Sequence, residues 1–154
     1  MTTEKNTDAD QKTEASEEKG SIYDLFAMDG DMEKKGIWID YGDAGSFLIA
    51  RAGGSNQKFA NILQAKTRPY KFQIDNELID NKVGQRLMYE AFAEAVVLGW
   101  EGVRGRDGQP IPFTKENCVQ LFEDLPDLFH DLREQATKLA NFRHQSLEDA
   151  AKNS

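Results

Sequence analysis

The chain has 154 residues, 39% of them hydrophobic and 30% charged, with a formal net charge of −8. That is the length of one domain with room for terminal extensions, in the composition range of soluble globular proteins. The acidic balance argues against nucleic acid as the main partner, because phosphate backbones are bound by clustered Lys and Arg; a basic stripe within an acidic chain is the alternative this leaves open.

Residues 1–20 contain no aromatic and no branched aliphatic residue, and carry Glu4, Asp8, Asp10, Glu14, Glu17 and Glu18. Such a stretch buries too little surface to offset chain entropy and lacks the apolar core of a secretory signal, so a disordered acidic tail is expected. Order is expected from Ser21, which can cap a helical turn presenting Ile22, Leu25 and Phe26 on one face. Asp29-Gly30-Asp31 reads as an acidic loop. A calcium loop is the alternative, disfavoured because its sixth position needs Gly and is Lys34 here. Ile37–Tyr41 and Ser46–Arg51 flank Gly42-Asp43-Ala44-Gly45, which spells a β-hairpin that must pack on a helix or gain a strand from elsewhere.

Gly53-Gly54 breaks the second strand, and Ser55 is placed to cap a helix to about Thr67 that buries Phe59, Ile62 and Leu63 and is limited by Pro69. Residues 70–80 fit strand and broken helix equally. Asn81–Trp100 reads as the core helix, apolar on two sides. A Gly- and Pro-rich turn follows around Asp107-Gly108. Thr114 then caps a helix containing Val119, Leu121 and Phe122, and Pro126 opens a last long helix whose stripe runs through Leu128, Phe129, Leu132, Ala136 and Leu139 toward Phe142. That stripe outruns the body it packs on, so Leu132, Leu139 and Phe142 are expected to meet a partner.

The expected fold is therefore α+β and mainly helical: an N-terminal β-hairpin packed on a small helical bundle with a long C-terminal helix. Residues 21–143 form one domain between the acidic tail, 1–20, and a frayed extension, 144–154.

Catalytic chemistry is not legible. His130 and His144 lie fourteen positions apart without a second ligand at metal spacing. Cys118 is the single cysteine, so no intramolecular disulfide can form; it reads as a small buried residue rather than a nucleophile. Trp38, Trp100 and Phe113 read as core aromatics, with a shared ligand pocket as the alternative. No catalytic, cofactor-binding or metal-binding residue is expected, and no apolar run approaches the roughly 20 residues that span a bilayer.

Three blocks together resemble the siphophage tail assembly chaperone family. The first is Glu33-Lys34-Lys35-Gly36-Ile37-Trp38-Ile39-Asp40-Tyr41 with Ile49-Ala50-Arg51-Ala52 and Asn56–Phe59. The second is Val96-Val97-Leu98-Gly99-Trp100-Glu101-Gly102-Val103. The third is Asp107-Gly108-Gln109-Pro110-Ile111-Pro112-Phe113-Thr114-Lys115-Glu116-Asn117, then Leu121-Phe122, Pro126-Asp127-Leu128 and a helix to Phe142. Trp100, Gly102, Asp107, Gly108, Pro110, Pro112 and Phe113 carry the most specific part, with Trp38 in the weaker first block. Arg104, Arg106 and Cys118 depart from the family pattern. The resemblance implies a non-enzymatic host-cytoplasmic protein, absent from the mature virion, that keeps the phage tape-measure protein soluble. It also implies recruitment of tail-tube protein through a longer form made by translational frameshifting, for which Lys152-Asn153 offers candidate codons. A homo-oligomer is admitted but not specified. The competing expectation is a structural tail completion or head–tail joining protein of the virion.

Overall fold

The computed structural model describes residues 20–142, without the side chains of Leu139 and Ala140. The expected acidic tail and frayed extension lie outside the described residues. Two compact units divide the chain, one of them Gly30–Phe142. The other unit contributes one described helix, α1 (Ile22–Phe26). There Ser21 Oγ accepts from the Asp24 N–H and the Asp24 carboxylate accepts from the Ser21 N–H, a reciprocal cap that satisfies two orphan donors.

The larger unit opens with α2 (Gly30–Lys35), where an acidic loop was expected. Asp31 and Glu33 in its first turn and Lys34 and Lys35 in its last complement the helix dipole, which accounts for the difference. Gly36 then turns the chain at φ 91°, and a Cβ there would sit 2.8 Å from the Ile49 carbonyl oxygen, so no other residue fits without a backbone shift.

The expected hairpin is present. Strand β1 (Ile37–Asp40) pairs antiparallel with β2 (Ser46–Ile49), Trp38 opposite Leu48, across a 3₁₀ turn at Gly42–Ala44. The sheet is completed from elsewhere in the chain. The core helix ends at Ala95, and β3 (Val97–Glu101) pairs antiparallel with β2, setting Phe47 opposite Trp100 in the order β1-β2-β3. The expected helix to Trp100 is thus a helix followed by a strand. Val96 and Val97 favour extended backbone, Gly99 weakens a helix, and β2 would otherwise expose unpaired backbone groups. The Ala50 N–H already donates to Val96 O at 2.8 Å.

Helix α3 (Lys58–Thr67) passes through a 3₁₀ turn at Arg68–Tyr70 into α4 (Lys71–Asp75). The α-helix ends at Thr67 as expected, and Pro69 sits in the first positions of the 3₁₀ turn that redirects the chain, where no N–H is needed from it. Helix α4 closes with a Schellman motif: the Leu78 N–H donates to Gln73 O at 2.7 Å and the Glu77 N–H to Ile74 O at 3.1 Å, with Glu77 at φ 55°. Helix α5 (Asn81–Ala95) is capped by Asp80. Thr114 caps α6 (Lys115–Asp124), and Pro126 occupies the first turn of α7 (Pro126–Thr137), both as expected.

The long C-terminal helix is shorter than its stripe suggests. It stops at Thr137, Lys138 is extended, and Leu139–Phe142 form a 3₁₀ turn. The Thr137 hydroxyl donates back to Arg133 O and Glu134 O, and the Ala52 N–H donates to the Ala136 carbonyl at 3.0 Å, which fixes the end of the helix against the chain leaving β2. The core is a cluster of edge-to-face and tilted rings: Tyr89 and Phe92 of α5 meet Phe122 of α6 and Phe129 of α7 at centroid distances of 4.7 to 5.8 Å. The fold is α+β and mainly helical.

Candidate functional site

The motif residues of the second and third blocks assemble one groove. Val103 leaves β3 and meets Ile111, whose N–H donates to Val103 O at 2.9 Å, while Arg104 and Pro110 form an isolated bridge. Gly102 just before this bridge and Gly108 within the loop it closes adopt φ 70° and 79°, and the Asp107 carboxylate accepts from the Gln109 N–H at 3.0 Å. Trp100 Nε1 donates to Ile111 O at 2.8 Å, and its ring packs edge-on against Phe47 and Phe113 at 5.5 and 4.9 Å. The Pro112 carbonyl accepts from the Asn117 side-chain amide. The outer wall of this loop and the β1–β2 turn enclose a groove of about 640 Å³ lined in part by Trp100, Arg104, Pro110, Pro112 and Phe113. The Arg104 guanidinium is spent on the Asp43 carbonyl across it. Trp38 stands apart, 49% exposed on β1, so it is neither core nor part of this groove. Phe113 is exposed as well, at 36%, so of the three expected core aromatics only Trp100 packs on the core, and Trp100 and Phe113 share the groove wall.

Two of the three expected partner contacts belong to the chain's own interior. Leu132 and Phe142 are fully buried, because the 3₁₀ turn folds Phe142 back where a continued helix would have projected it. The side chain of Leu139 lies outside the described residues. Within the larger unit, Phe72 (72%), Ile74 (39%) and Leu78 (67%) on α4 and its closing turn are exposed, where the sequence was ambiguous, and in the other unit Ile22, Tyr23, Leu25 and Phe26 of α1 are exposed as well. Neither α3 nor α4 contains a buried residue.

Ionic contacts tie the surrounding elements. Glu33 is 1% exposed, yet its carboxylate accepts from Arg51 at 2.7 Å, from the Ser55 N–H at 2.8 Å and from the Ser55 hydroxyl. Burial pushes its pKa up, but the Ser55 and Arg51 hydrogen bonds and the guanidinium charge outweigh that and hold it below the ordinary carboxylate value. Ser55 thus serves Glu33, and α3 starts without a side-chain cap. Lys66 of α3 reaches Glu90 and Glu94 of α5 at 3.4 and 3.3 Å, and Lys115 of α6 also bonds Glu94. The Lys115 hydrogen bond is the main reason the Glu94 carboxyl titrates low. Tyr41 donates to the Asp131 carboxylate of α7 at 2.5 Å.

Among the described residues no group of three His, Cys, Asp or Glu side chains could hold a metal ion, and no helix is long and apolar enough to cross a membrane. Cys118 is buried and its thiol is pushed up to about 12. His130 is exposed on α7, and His144 lies outside the described residues.

A family model described as YdaY prophage protein matches residues 54–153. The chain belongs to that family. It is a phage-derived protein. The match begins beside Ser55 and runs through α3, α4, the core helix, the Trp100 groove and α7, leaving the β1–β2 hairpin outside it. Neither a curated protein nor a solved structure matches the chain.

The sequence reading missed both the apolar corner and the Glu33 pair. Phe72, Ile74, Leu78 and Ile79 fit no single period, which is itself the signature of apolar residues not committed to one core. Glu33 and Ser55 are 22 positions apart and each has a common local role, so only the fold shows that they meet.

Proposed function

We propose that this prophage protein is a tail assembly chaperone that binds the tape-measure protein, keeps it soluble, helps recruit tail-tube subunits, and works by binding rather than by catalysis. The observation that carries the reading is the corner at Phe72, Ile74 and Leu78, which leaves large side chains in water on a well-packed acidic body. Scattered exposed apolar residues are ordinary; Phe72 and Leu78, both two-thirds exposed or more and set at the same end of α4 by its closing motif, fit an interaction surface. A tape measure is a long helical protein with apolar stripes that aggregates before the tube encloses it. A corner of this kind can cover such a stripe while the rest of the body adds repulsive charge. The motif order from Trp100 to Phe113 supports the same reading by its resemblance to that family.

Co-expression tests it. The tape-measure protein is expected in the soluble fraction with the wild-type chain, and in the pellet with the Phe72→Ser/Leu78→Ser double variant, whose fold is checked by circular dichroism. Recovery of the chain in fixed stoichiometry from purified virions would refute the chaperone reading in favour of a tail completion or head–tail joining protein.

A further inference from the structure

Strand β1 is an edge of the sheet. It packs mainly on β2, and the ladder between the two runs without a bulge. The Tyr41 N–H donates to Gly45 O at 2.9 Å, which fixes the phase of the alternation. Ile37, Ile39 and Tyr41 bond inward to β2, so Trp38 and Asp40 turn their N–H and C=O groups away from it. Among the described residues no backbone group takes them. Trp38, 49% exposed, stands in the middle of this edge, while Ile37 and Ile39 pack on the core. Edge strands are commonly blunted by proline or a bulge; β1 has neither, and only its shortness and the terminal Asp40 limit what can pair with it. The flanks of the strand differ in sign. Before it stand Lys34 and Lys35, with Asp31 4.0 Å from Lys35, while Glu33 is neutralised by Arg51. After it stand Asp40 and Asp43, with Glu101 opposite Ser46 and the Arg104 guanidinium on the Asp43 carbonyl. With these neighbours counted, one flank is basic and the other acidic.

We propose that β1 pairs antiparallel with β1 of a second copy of this chain, about a two-fold axis at Ile39. In that register Trp38 exchanges both backbone hydrogen bonds with Asp40 of the second copy, and the reverse, so every outward group of the two strands is satisfied. The two Trp38 rings then lie on one face of the joined sheet as a diagonal pair, within reach of each other and partly withdrawn from water. The antiparallel order lays the lysine flank of each copy along the aspartate flank of the other, whereas a parallel pair would set like charges side by side. A strand from another protein would satisfy the backbone equally; the charge order and the Trp38 diagonal are what favour a copy of the same chain. This pairing uses no residue of the Phe72–Leu78 corner and stands apart from the chaperone reading.

The test uses the full-length chain in sedimentation velocity and in hydrogen exchange read by mass spectrometry. A contact this small should give a dimer at about 0.5 mM chain that is largely dissociated at about 5 µM. The peptide covering β1 should exchange at least about threefold more slowly at the higher concentration, and peptides covering α4 and the Trp100 loop should not change. Trp38→Lys, folded by circular dichroism, should stay monomeric at both concentrations. Lys35→Glu and Asp43→Lys should each weaken the dimer at least about threefold at 50 mM salt, since each change acts twice across the axis, and the double variant should recover most of the loss. A monomer at the higher concentration overturns the proposal. So does a dimer that survives Trp38→Lys, a dimer whose β1 peptide is not protected, or a double variant no better than either single one. Protection of β1 by added tape-measure protein, with the chain alone monomeric, gives the edge to that protein and overturns the self-pairing.

Discussion

Replacing Arg51 by Met isolates the Glu33 pair. The Glu33 side chain is 2% exposed and that of Arg51 14%, so little solvent is at hand to take over when the guanidinium is removed. Breaking a buried pair from one side costs roughly 3–5 kcal/mol, because it leaves a charge without its partner. The two Ser55 hydrogen bonds remain, which places the expectation at the lower end, about 3 kcal/mol. For a body of this size that is a fall in melting temperature of about 10 °C. Acid dependence gives an independent reading. The folded pKa of Glu33 lies below its ordinary value of 4.5, so its contribution is present above pH 4.5 and is lost as pH falls through the folded pKa. Arg51→Met removes part of what depresses that pKa, and the loss of stability below pH 4.5 should flatten. Thermal melts of wild type, Arg51→Met and the Glu33→Gln/Arg51→Met double variant at pH 7, 5 and 3.5 supply the comparison. The double variant should recover at least half of the lost stability, since no charge is left buried alone. A single variant within 1 °C of wild type, or a double variant less stable than the single, would refute the reasoning.

Trp100→Phe keeps a ring against Phe47 and Phe113 but removes the donor to Ile111 O, and should cost about 1 kcal/mol, whereas Trp100→Ala should cost roughly 3 kcal/mol or more in chemical denaturation; equal losses would mean that the hydrogen bond contributes nothing. Cys118 should react with a thiol-specific chromogenic disulfide at pH 8 only after unfolding, because it is buried and its thiol is pushed up to about 12; reaction at full rate in the native protein would contradict that burial. Glu77→Gly should raise stability by up to about 1 kcal/mol, because a residue with a Cβ is strained at φ 55° and glycine is not; a destabilised variant would show that the Glu77 side chain makes a compensating contact.

The hairpin, the Thr114 cap, the Pro126 start and the Asp107-Gly108 turn were all legible because each depends on residues within a few positions of one another. What the sequence hid depends on distance. Val97–Glu101 continues a helical stripe in sequence, and only the open edge of β2 turns it into a strand. Leu132 and Phe142 look like surplus apolar surface until the 3₁₀ turn after Lys138 brings Phe142 home. A hydrophobic period says that a residue will be covered and is silent about what covers it. In this chain the covered residues are its own core, and the candidate site lies where the period fails, at Phe72, Ile74 and Leu78.

That placement follows from how packing is distributed. Helix α5 buries five residues and meets α6 and α7 through the ring cluster, so its geometry is fixed by many contacts at once. Helix α3 lies along α5, with Phe59 edge-on against the buried Phe92 and Lys66 on Glu90 and Glu94, whereas α4 buries no residue and packs mainly on the 3₁₀ turn before it. Elements of that kind sit at the low end of local stability, from which binding surfaces are drawn, because they can adjust to a partner without disturbing the core. Glu77, held in a conformation suited to glycine at the end of α4, fits the same pattern: an element selected only for stability would carry glycine there. The rigid core and the ionic ties around it hold the corner in place, and its weak packing is what the proposed chaperone role would draw on.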